Sequence, residues 1–352
     1  MQGLIEKELS AFKEVIQEEM TREGSLWPGE FLKESVMNVL WTIVAGNDAE
    51  HRVLSKTLMN LLEKRLKNFD ISGGALSDFP WLRFAAPEYS GYNLLCQINK
   101  EITSILKKII AVHQERFSEE KANENLIYAF IEEMRKQETK EGSTFTEKQL
   151  MVVMMDFIIG GSYSTRATFD LSLMTLALYP DIQEEIHAEI AKATPLNSSN
   201  FHSGDLPLCQ AFLMEIARFY SIVPTTGPRR AFAETQLCGY TIPKDTTILI
   251  GNEFVHMDRT FWNDPEIFRP SRFLNEGKTK IINSDRVHQF GQGKRMCLGV
   301  PLAKSFLHTF LTGIVQDYRI SPAPGKEPPS QNLIPGLFKT IKPYQVQFIR
   351  RF

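Results

Sequence analysis

The stretch that decides the fold is Phe290-Gly291-Gln292-Gly293-Lys294-Arg295-Met296-Cys297-Leu298-Gly299, and a predicted helix over residues 300–316 follows it at once. A cysteine just before a helix N-terminus has its thiolate favoured by the helix dipole and by free backbone N–H groups. Those donors also moderate the charge that a thiolate transfers to a metal. We therefore interpret Cys297 as a metal-binding thiolate.

The residues around this cysteine suit a flat, partly anionic ligand. Gly293 and Gly299 allow the backbone to turn tightly and to lie against a planar group. Arg295 stands two residues before the cysteine, within reach of an anionic substituent on that group. Phe290 is placed to shield the sulfur from water.

This decapeptide resembles the haem-binding loop of the cytochrome P450 family, whose pattern is Phe-x-x-Gly-x-Arg-x-Cys-x-Gly. Every fixed position of the pattern is matched. In that family the cysteine is the axial thiolate of haem iron. The resemblance implies haem b as the cofactor and Cys297 as its metal ligand. It also implies that Phe290, Gly293, Arg295 and Gly299 bind the cofactor.

Three further motifs follow the family's order. Glu215 and Arg218 share a helix face at i, i+3 and resemble the family's Glu-x-x-Arg helix, and Arg272 resembles the arginine that joins that pair. The resemblance implies that these three residues form a buried structural network behind the haem. Arg229 falls where family members direct a basic residue toward a haem propionate, and Arg230 is the alternative for that role.

A long helix is predicted from a cap at Thr146 to about Leu178, ahead of Pro180. Its centre reads Gly160-Gly161-Ser162-Tyr163-Ser164-Thr165. Adjacent glycines cost helix stability, so they indicate either close packing against another element or the approach of a flat ligand.

This centre resembles the oxygen-side helix of the family, small-Gly-x-acid-Thr-Thr. The resemblance implies that Gly160 and Gly161 open the helix over a haem face. Ser164 would then be the catalytic hydroxyl on the oxygen side, and Thr165 would share its role. Tyr163 replaces the acid, and a phenol with a pKa of about 10 is a poor proton relay near neutral pH.

Composition and periodicity predict a mainly α-helical chain with small β-sheets. The chain is 43% hydrophobic and 23% charged with a formal net charge of -2, which argues against disorder and against a general nucleic-acid binder. Apolar residues recur at three- and four-residue steps through residues 1–190, whereas residues 230–250 and the tail indicate short strands. We expect one partial P450 domain over residues 1–352. It would consist of a helical region at 1–143, followed at 144–352 by the oxygen-side helix, the Glu-x-x-Arg helix and the Cys loop.

The resemblance extends to the animal microsomal branch of the family, which implies the cytosolic face of the endoplasmic reticulum membrane. No run approaches the ~18 apolar residues of a membrane helix, so attachment is expected to be peripheral. Four separated cysteines without a CxxC motif favour a reducing compartment. The chain is expected to begin after the family's anchor, β-lobe and first helices, one of which carries a Trp-x-x-x-Arg pair that holds the haem propionates.

The resemblance implies a haem-thiolate monooxygenase that inserts one oxygen atom of O2 into an apolar organic substrate. Its electrons would come from NADPH through a reductase, which Lys294 and Lys304 would face. Two alternatives stay open: a haem-thiolate rearrangement enzyme that needs no reductase, and a truncated, non-enzymatic fragment unable to hold haem. The histidines show no metal-ligand spacing, so we interpret His256, His288 and His308 as ordinary residues.

Overall fold

A computed structural model describes residues 1–47, 49–68, 76, 79–193, 206–335 and 338–351. The helices lie at α1 Gln2–Arg22, α2 Pro28–Ala45, α3 Ala49–Asn68, α4 Leu82–Ala85, α5 Tyr92–Glu115, α6 Leu126–Lys136, α7 Glu147–Leu178, α8 Pro180–Ala193, α9 Pro207–Tyr220, α10 Asn252–His256, α11 Arg259–Trp262 and α12 Val300–Asp317. The prediction of a mainly helical fold with small β-sheets is confirmed.

The long helix α7 is confirmed over 32 residues, a length of about 48 Å. It begins where the sequence predicts, because the Thr146 hydroxyl accepts a hydrogen bond from the backbone N–H of Gln149 at 3.1 Å. It ends at Leu178. Pro180 begins the next helix, a position that suits proline because the first residues of a helix need no backbone N–H donor.

Among the described residues, three two-stranded antiparallel sheets lie in the second half of the chain. Their strands are β1 Thr225–Arg230, β2 Thr235–Leu237, β3 Tyr240–Ile242, β4 Thr247–Gly251, β5 Tyr318–Pro322 and β6 Val346–Arg350, paired as β1 with β4, β2 with β3 and β5 with β6. The β1–β4 register shifts between Thr226 and Arg229, where Gly227 and Pro228 interrupt the ladder. A bulge there fits proline, which donates no hydrogen bond.

The chain folds as two compact units. Residues 1–12 and 30–166 form unit 1, and residues 13–29 and 167–352 form unit 2, so α7 belongs to unit 1 up to Arg166 and to unit 2 from Ala167. The prediction of a single domain over residues 1–352 stays a prediction.

The core of unit 1 is aliphatic and comes mainly from the helix faces that sequence periodicity marks as apolar. Its buried members include Met37, Trp41, Val44, Ile98, Ile102, Leu106, Ile109, Ile127, Ile131, Leu150, Met154 and Ile158. On α5 these positions recur at steps of three and four residues, which is the pattern of one buried helix face.

The core of unit 2 is rich in phenylalanine. Phe169 on α7 meets Phe310 on α12 edge to face, with ring centroids 5.5 Å apart, and Phe310 stacks on Phe306 at 4.0 Å. A second group centres on Phe268, whose ring lies 5.8 Å from that of Phe212 on α9. These contacts pack α12, the helix that follows the Cys loop, against the second half of α7.

Candidate functional site

The Cys loop is a compact turn placed directly ahead of α12. Residues Gly293–Arg295 form one turn of 3-10 helix, and Gly299 precedes the first helical residue, Val300. The backbone N–H of Cys297 donates to the carbonyl of Phe290 at 2.8 Å, which closes the loop. The predicted position of Cys297 just before a helix N-terminus is confirmed.

Two glycines give the loop its shape. Gly291 and Gly293 both have φ of +68°, a backbone conformation that favours glycine. Gly299 is different, because its φ of −80° suits any residue. A Cβ at Gly299 would lie 3.7 Å from the Cys297 sulfur, which is ordinary van der Waals contact, so neither the backbone nor the packing described here requires glycine at this position.

The donor set of this loop fits a haem. The Cys297 thiol is exposed, as a ligand must be to reach iron. Next to it, the Met296 side chain is 51% exposed and Leu298 is 89% exposed, although large apolar side chains are normally covered. A Cβ at Gly293 would meet no atom within 4 Å, so a planar group could lie close to the backbone there. Arg295 is exposed beside them and supplies a cation for a carboxylate.

The predicted propionate residue, Arg229, follows the bulge in β1. Its guanidinium donates back to the carbonyl of Gly227 at 2.8 Å and lies 3.5 Å from that of Pro228. The alternative, Arg230, is paired with Asp245 through its Nε at 2.7 Å and through a second, shorter contact. Among the described contacts, Arg229 binds only neutral carbonyl groups, whereas Arg230 is already paired with a carboxylate.

The two central glycines of α7, both in unit 1, have different surroundings. A Cβ built at Gly161 would lie 2.7 Å from a methyl carbon of Leu40 on α2, whereas one built at Gly160 would meet nothing within 4 Å. Close packing therefore accounts for Gly161. The open space at Gly160 is consistent with the approach of a ligand.

This contrast predicts opposite effects of two alanine substitutions. Gly161→Ala is expected to lower the free energy of unfolding by roughly 1–3 kcal/mol, because Leu40 must move. Gly160→Ala is expected to raise it by up to about 1 kcal/mol, because alanine is the better helix former. Urea denaturation of both variants measures this, and equal effects of the two would contradict it.

The three hydroxyl-bearing residues at the centre of α7, Tyr163, Ser164 and Thr165, differ in their contacts and in their exposure to solvent. The Ser164 hydroxyl donates to the carbonyl of Gly160 at 3.0 Å, one turn back along the helix. The Thr165 side chain is buried. Tyr163, which replaces the family's acid, lies under the guanidinium of Arg166 at 5.7 Å from its ring centroid. Residues 163–165 belong to unit 1, and the Cys loop belongs to unit 2.

The network of Glu215, Arg218 and Arg272 is confirmed. Both Glu215 oxygens accept from Arg218, at 2.7 Å and 2.8 Å, and Oε1 also accepts from Arg272 Nε at 3.0 Å. The side chains of Glu215 and Arg218 are fully buried, and that of Arg272 is 5% exposed. Arg218 also donates to the carbonyls of His256 and Pro265, both at 2.9 Å. Its charge is therefore compensated throughout.

Sequence reasoning missed a histidine that extends this network toward the Cys loop. His256 is fully buried; its Nδ1 lies 2.8 Å from the Ser221 hydroxyl and its Nε2 lies 3.0 Å from the backbone N of His288. The rings of His256 and His288 are parallel, 6.4 Å apart. No spacing rule could have found these contacts, because they join residues 35 and 32 positions apart.

Comparison with known proteins agrees with the family that the sequence resembles. The family model for cytochrome P450 matches residues 1–348. The chain is 40% identical to "Probable cytochrome P450 305a1" of Drosophila melanogaster, over 98% of this chain and 70% of that protein. It is 30% identical to human "Cytochrome P450 2U1", over 96% of this chain and 62% of that protein. It is 32% identical to "Farnesoate epoxidase" of Bombyx mori, over 89% of this chain and 63% of that protein.

The chain belongs to the cytochrome P450 family. Its relatives include animal proteins of the P450 2 and P450 1 groups, as the resemblance of the sequence indicated. The chain spans 62% to 70% of the length of the three relatives described above.

Proposed function

We propose that this chain is the haem-carrying part of a haem-thiolate monooxygenase that inserts one oxygen atom of O2 into an apolar organic substrate. The observation that carries the proposal is the exposed Cys297 thiol, held ahead of α12 in a loop closed by its own backbone N–H. The name of the silkworm relative, a farnesoate epoxidase, supports oxygen insertion into an organic substrate.

The roles follow from the chemistry of each side chain. When bound, haem supplies the one-electron and oxygen chemistry that amino acids lack. Cys297 would hold the iron as a thiolate. Arg295 and Arg229 would pair with the propionates, and Phe290, Gly293 and Gly299 would shape the loop around the sulfur. Gly160 would form the helix surface on the oxygen side, whereas Gly161 packs against Leu40 and does not take the cofactor-binding role that the resemblance implies.

We propose that the Ser164 hydroxyl holds a proton on the oxygen side, with Thr165 as a second hydroxyl. Ser164 already donates along the helix to Gly160, and serine rotates more freely than threonine. It could therefore exchange that bond for one to the oxygen substrate. The Tyr163 phenol replaces the family's acid, so the hydroxyls must carry more of the proton transfer.

Ser164→Ala is expected to lower product formed per NADPH oxidised by roughly tenfold, since one hydrogen bond is worth about 1–1.5 kcal/mol. Hydrogen peroxide release should rise by the corresponding amount, while haem content stays unchanged. Product yield and peroxide are measured in the same reaction, with Ser162→Ala as the matched helix-surface control. An unchanged product yield in Ser164→Ala would exclude Ser164 from this role.

The electron donor we propose is an NADPH–cytochrome reductase that approaches the Cys loop. Lys294 and Lys304 are both exposed, one in the loop and one on the first turns of α12. They present positive charge to an acidic partner surface. A rearrangement enzyme would turn over hydroperoxides without reductase, so comparing the two reactions separates this alternative from the monooxygenase.

We also propose that the chain associates with the cytosolic face of the endoplasmic reticulum membrane. Within the described residues, no helix has the length and apolar character needed to cross a bilayer. The segment 79–89 nevertheless exposes an aromatic group consisting of Phe79, Trp81, Phe84 and Tyr89. Aromatic side chains favour the bilayer interface. Trp81→Ser combined with Phe84→Ser is expected to lower sedimentation with phosphatidylcholine vesicles several-fold, and equal sedimentation would contradict this.

The test of the main proposal is the carbon monoxide difference spectrum of the purified, dithionite-reduced chain. A strongly red-shifted Soret band is expected if Cys297 binds haem iron. Absence of any haem signal would favour the alternative of a non-enzymatic fragment. A red-shifted band justifies a substrate screen with a reductase and NADPH.

A further inference from the structure

We infer that His256 is a positioning residue for the Cys297 loop and that it acts as a neutral imidazole in one defined tautomer. Ser221, His256 and His288 together are called the loop anchor below. The inference rests on the proposed function in one respect, namely that the loop holds a haem through Cys297.

The tautomer follows from counting donors. The Ser221 hydroxyl has a single proton, and it donates that proton to the carbonyl of Arg218 at 2.9 Å. Toward His256 its oxygen must therefore accept, so His256 Nδ1 carries the hydrogen. His256 Nε2 is then an unprotonated acceptor, and it receives the backbone N–H of His288 at 3.0 Å. All three groups are satisfied in this arrangement.

The same geometry excludes the protonated ring. A hydrogen on His256 Nε2 would point at the N–H of His288, so two donors would face each other inside a fully buried site. The charged and titratable groups around the ring also oppose a second proton. They are Arg218, whose guanidinium binds the His256 carbonyl, Lys339, and the stacked His288; Lys339 is itself paired with Glu253 on α10.

Burial, with His288, Arg218 and Lys339 adding to it, lowers the pKa of His256 to about 4. Near neutral pH the imidazole therefore holds the one protonation state that the contacts require.

The loop anchor holds the residues directly ahead of the Cys loop. The carbonyl of His288 accepts from the N–H of Gly291 at 2.9 Å, and the His288 ring is bonded to the Gln292 amide at 2.8 Å. Phe290, inside this turn, accepts from the N–H of Cys297. Hydrogen bonds therefore connect the fully buried Arg218 through Ser221 and His256 to His288, and the short chain segment from His288 to Phe290 connects these bonds to the one that holds Cys297.

Ser221 adds a second indication that this connection is specific. It ends α9 with φ of +42°, a left-handed conformation that costs energy in a residue other than glycine. Glycine is the usual residue at such a helix end. A serine at this place supplies the hydroxyl that orients His256.

The test uses two substitutions of His256, each of which keeps one of the two hydrogen bonds that the imidazole ring makes. In His256→Gln the side-chain oxygen takes the place of Nε2 and accepts from His288. In His256→Asn the side-chain nitrogen takes the place of Nδ1 and keeps only the bond to Ser221. The matched control is His308→Asn, a buried histidine on α12 whose Nε2 has no partner among the described residues. The readouts are amide hydrogen exchange over residues 288–297 and the carbon monoxide difference spectrum of the haem-loaded chain.

The expected result is about tenfold faster exchange of the His288 amide in His256→Asn, which corresponds to the loss of one hydrogen bond. The share of haem with the red-shifted band should fall several-fold in that variant. His256→Gln should restore both readouts to within about twofold, and His308→Asn should leave both unchanged. If Asn and Gln behave alike, or if melting temperature falls while loop exchange and spectrum do not change, the inference is overturned.

Ser221→Gly serves as a second variant if His256→Asn does not fold, because glycine suits the backbone of residue 221 while removing the hydroxyl. Faster exchange at His288 supports the anchor, and unchanged exchange overturns it. A wild-type chain without a red-shifted band would contradict the proposed function alone, since amide exchange in the loop tests the anchor without haem.

Discussion

Cys297→Ala is expected to abolish the red-shifted carbon monoxide band completely, because no other residue of the Cys loop offers a thiolate to iron. The loop itself should persist, since it is closed by the backbone N–H of residue 297 and by the left-handed conformations of Gly291 and Gly293. The variant should therefore fold and show weak haem uptake without the thiolate signature. The measurement is the difference spectrum at equal protein concentration, with circular dichroism as the check on folding.

The chain supplies its own control for this experiment. Cys238 is also exposed and also lies in unit 2, at the turn between β2 and β3. Cys238→Ala should retain the full red-shifted band. Loss of the band in Cys238→Ala, or its survival in Cys297→Ala, would show that the thiolate has been assigned to the wrong residue.

Glu215→Ala is expected to lower the free energy of unfolding by about 3–5 kcal/mol, because it leaves the buried Arg218 guanidinium without its carboxylate and leaves Arg272 with the Asp264 carboxylate. Arg218 would lose a bidentate partner and Arg272 would lose its contact at 3.0 Å. Both cations also face the ring of Trp262, at 5.4 Å and 5.7 Å from its centroid, but that contact cannot replace a carboxylate. Denaturant unfolding of the haem-loaded chain measures the change.

An exposed arginine–glutamate pair serves as the control that distinguishes the effect of burial from the effect of losing a charge. Arg351 binds Glu184 through two contacts, at 2.8 Å and 2.9 Å, but the Glu184 side chain is 47% exposed. Solvent screens such a pair, so Glu184→Ala should cost no more than about 1 kcal/mol. If the two substitutions cost the same, the burial of Glu215 is not what makes its network important.

Much of the fold could be predicted from local signals. The cap at Thr146, the prolines at helix starts and the apolar periodicity on α5 act within a few residues, so the sequence displays them directly. The division of the chain into two units could not be predicted in this way, because it depends on which distant residues pack together. The boundary within α7, between Arg166 and Ala167, has no marker in a continuous helical pattern.

The residues of the candidate site likewise fall into those that a local motif predicts and those that only distant contacts define. Cys297 and its loop residues are adjacent in the chain, and Glu215 and Arg218 lie one helical turn apart, so both groups are visible as motifs. Arg272 required the family resemblance. His256 was interpreted as ordinary, because the contacts that define its role come from residues 221 and 288. The two central glycines of α7 differ in their surroundings only through the distant residue Leu40, which packs against Gly161 and not against Gly160.

The neutrality of His256 makes unfolding of this protein a proton-uptake reaction in mild acid. An imidazole in the unfolded chain binds a proton near pH 6.5, whereas native His256 does so only near pH 4. The stabilisation is therefore complete above about pH 6.5 and is lost as the pH falls from 6.5 to 4, at up to about 1.4 kcal/mol per pH unit. Acidification thus lowers the free energy of unfolding at pH values where carboxylates of ordinary pKa are still charged.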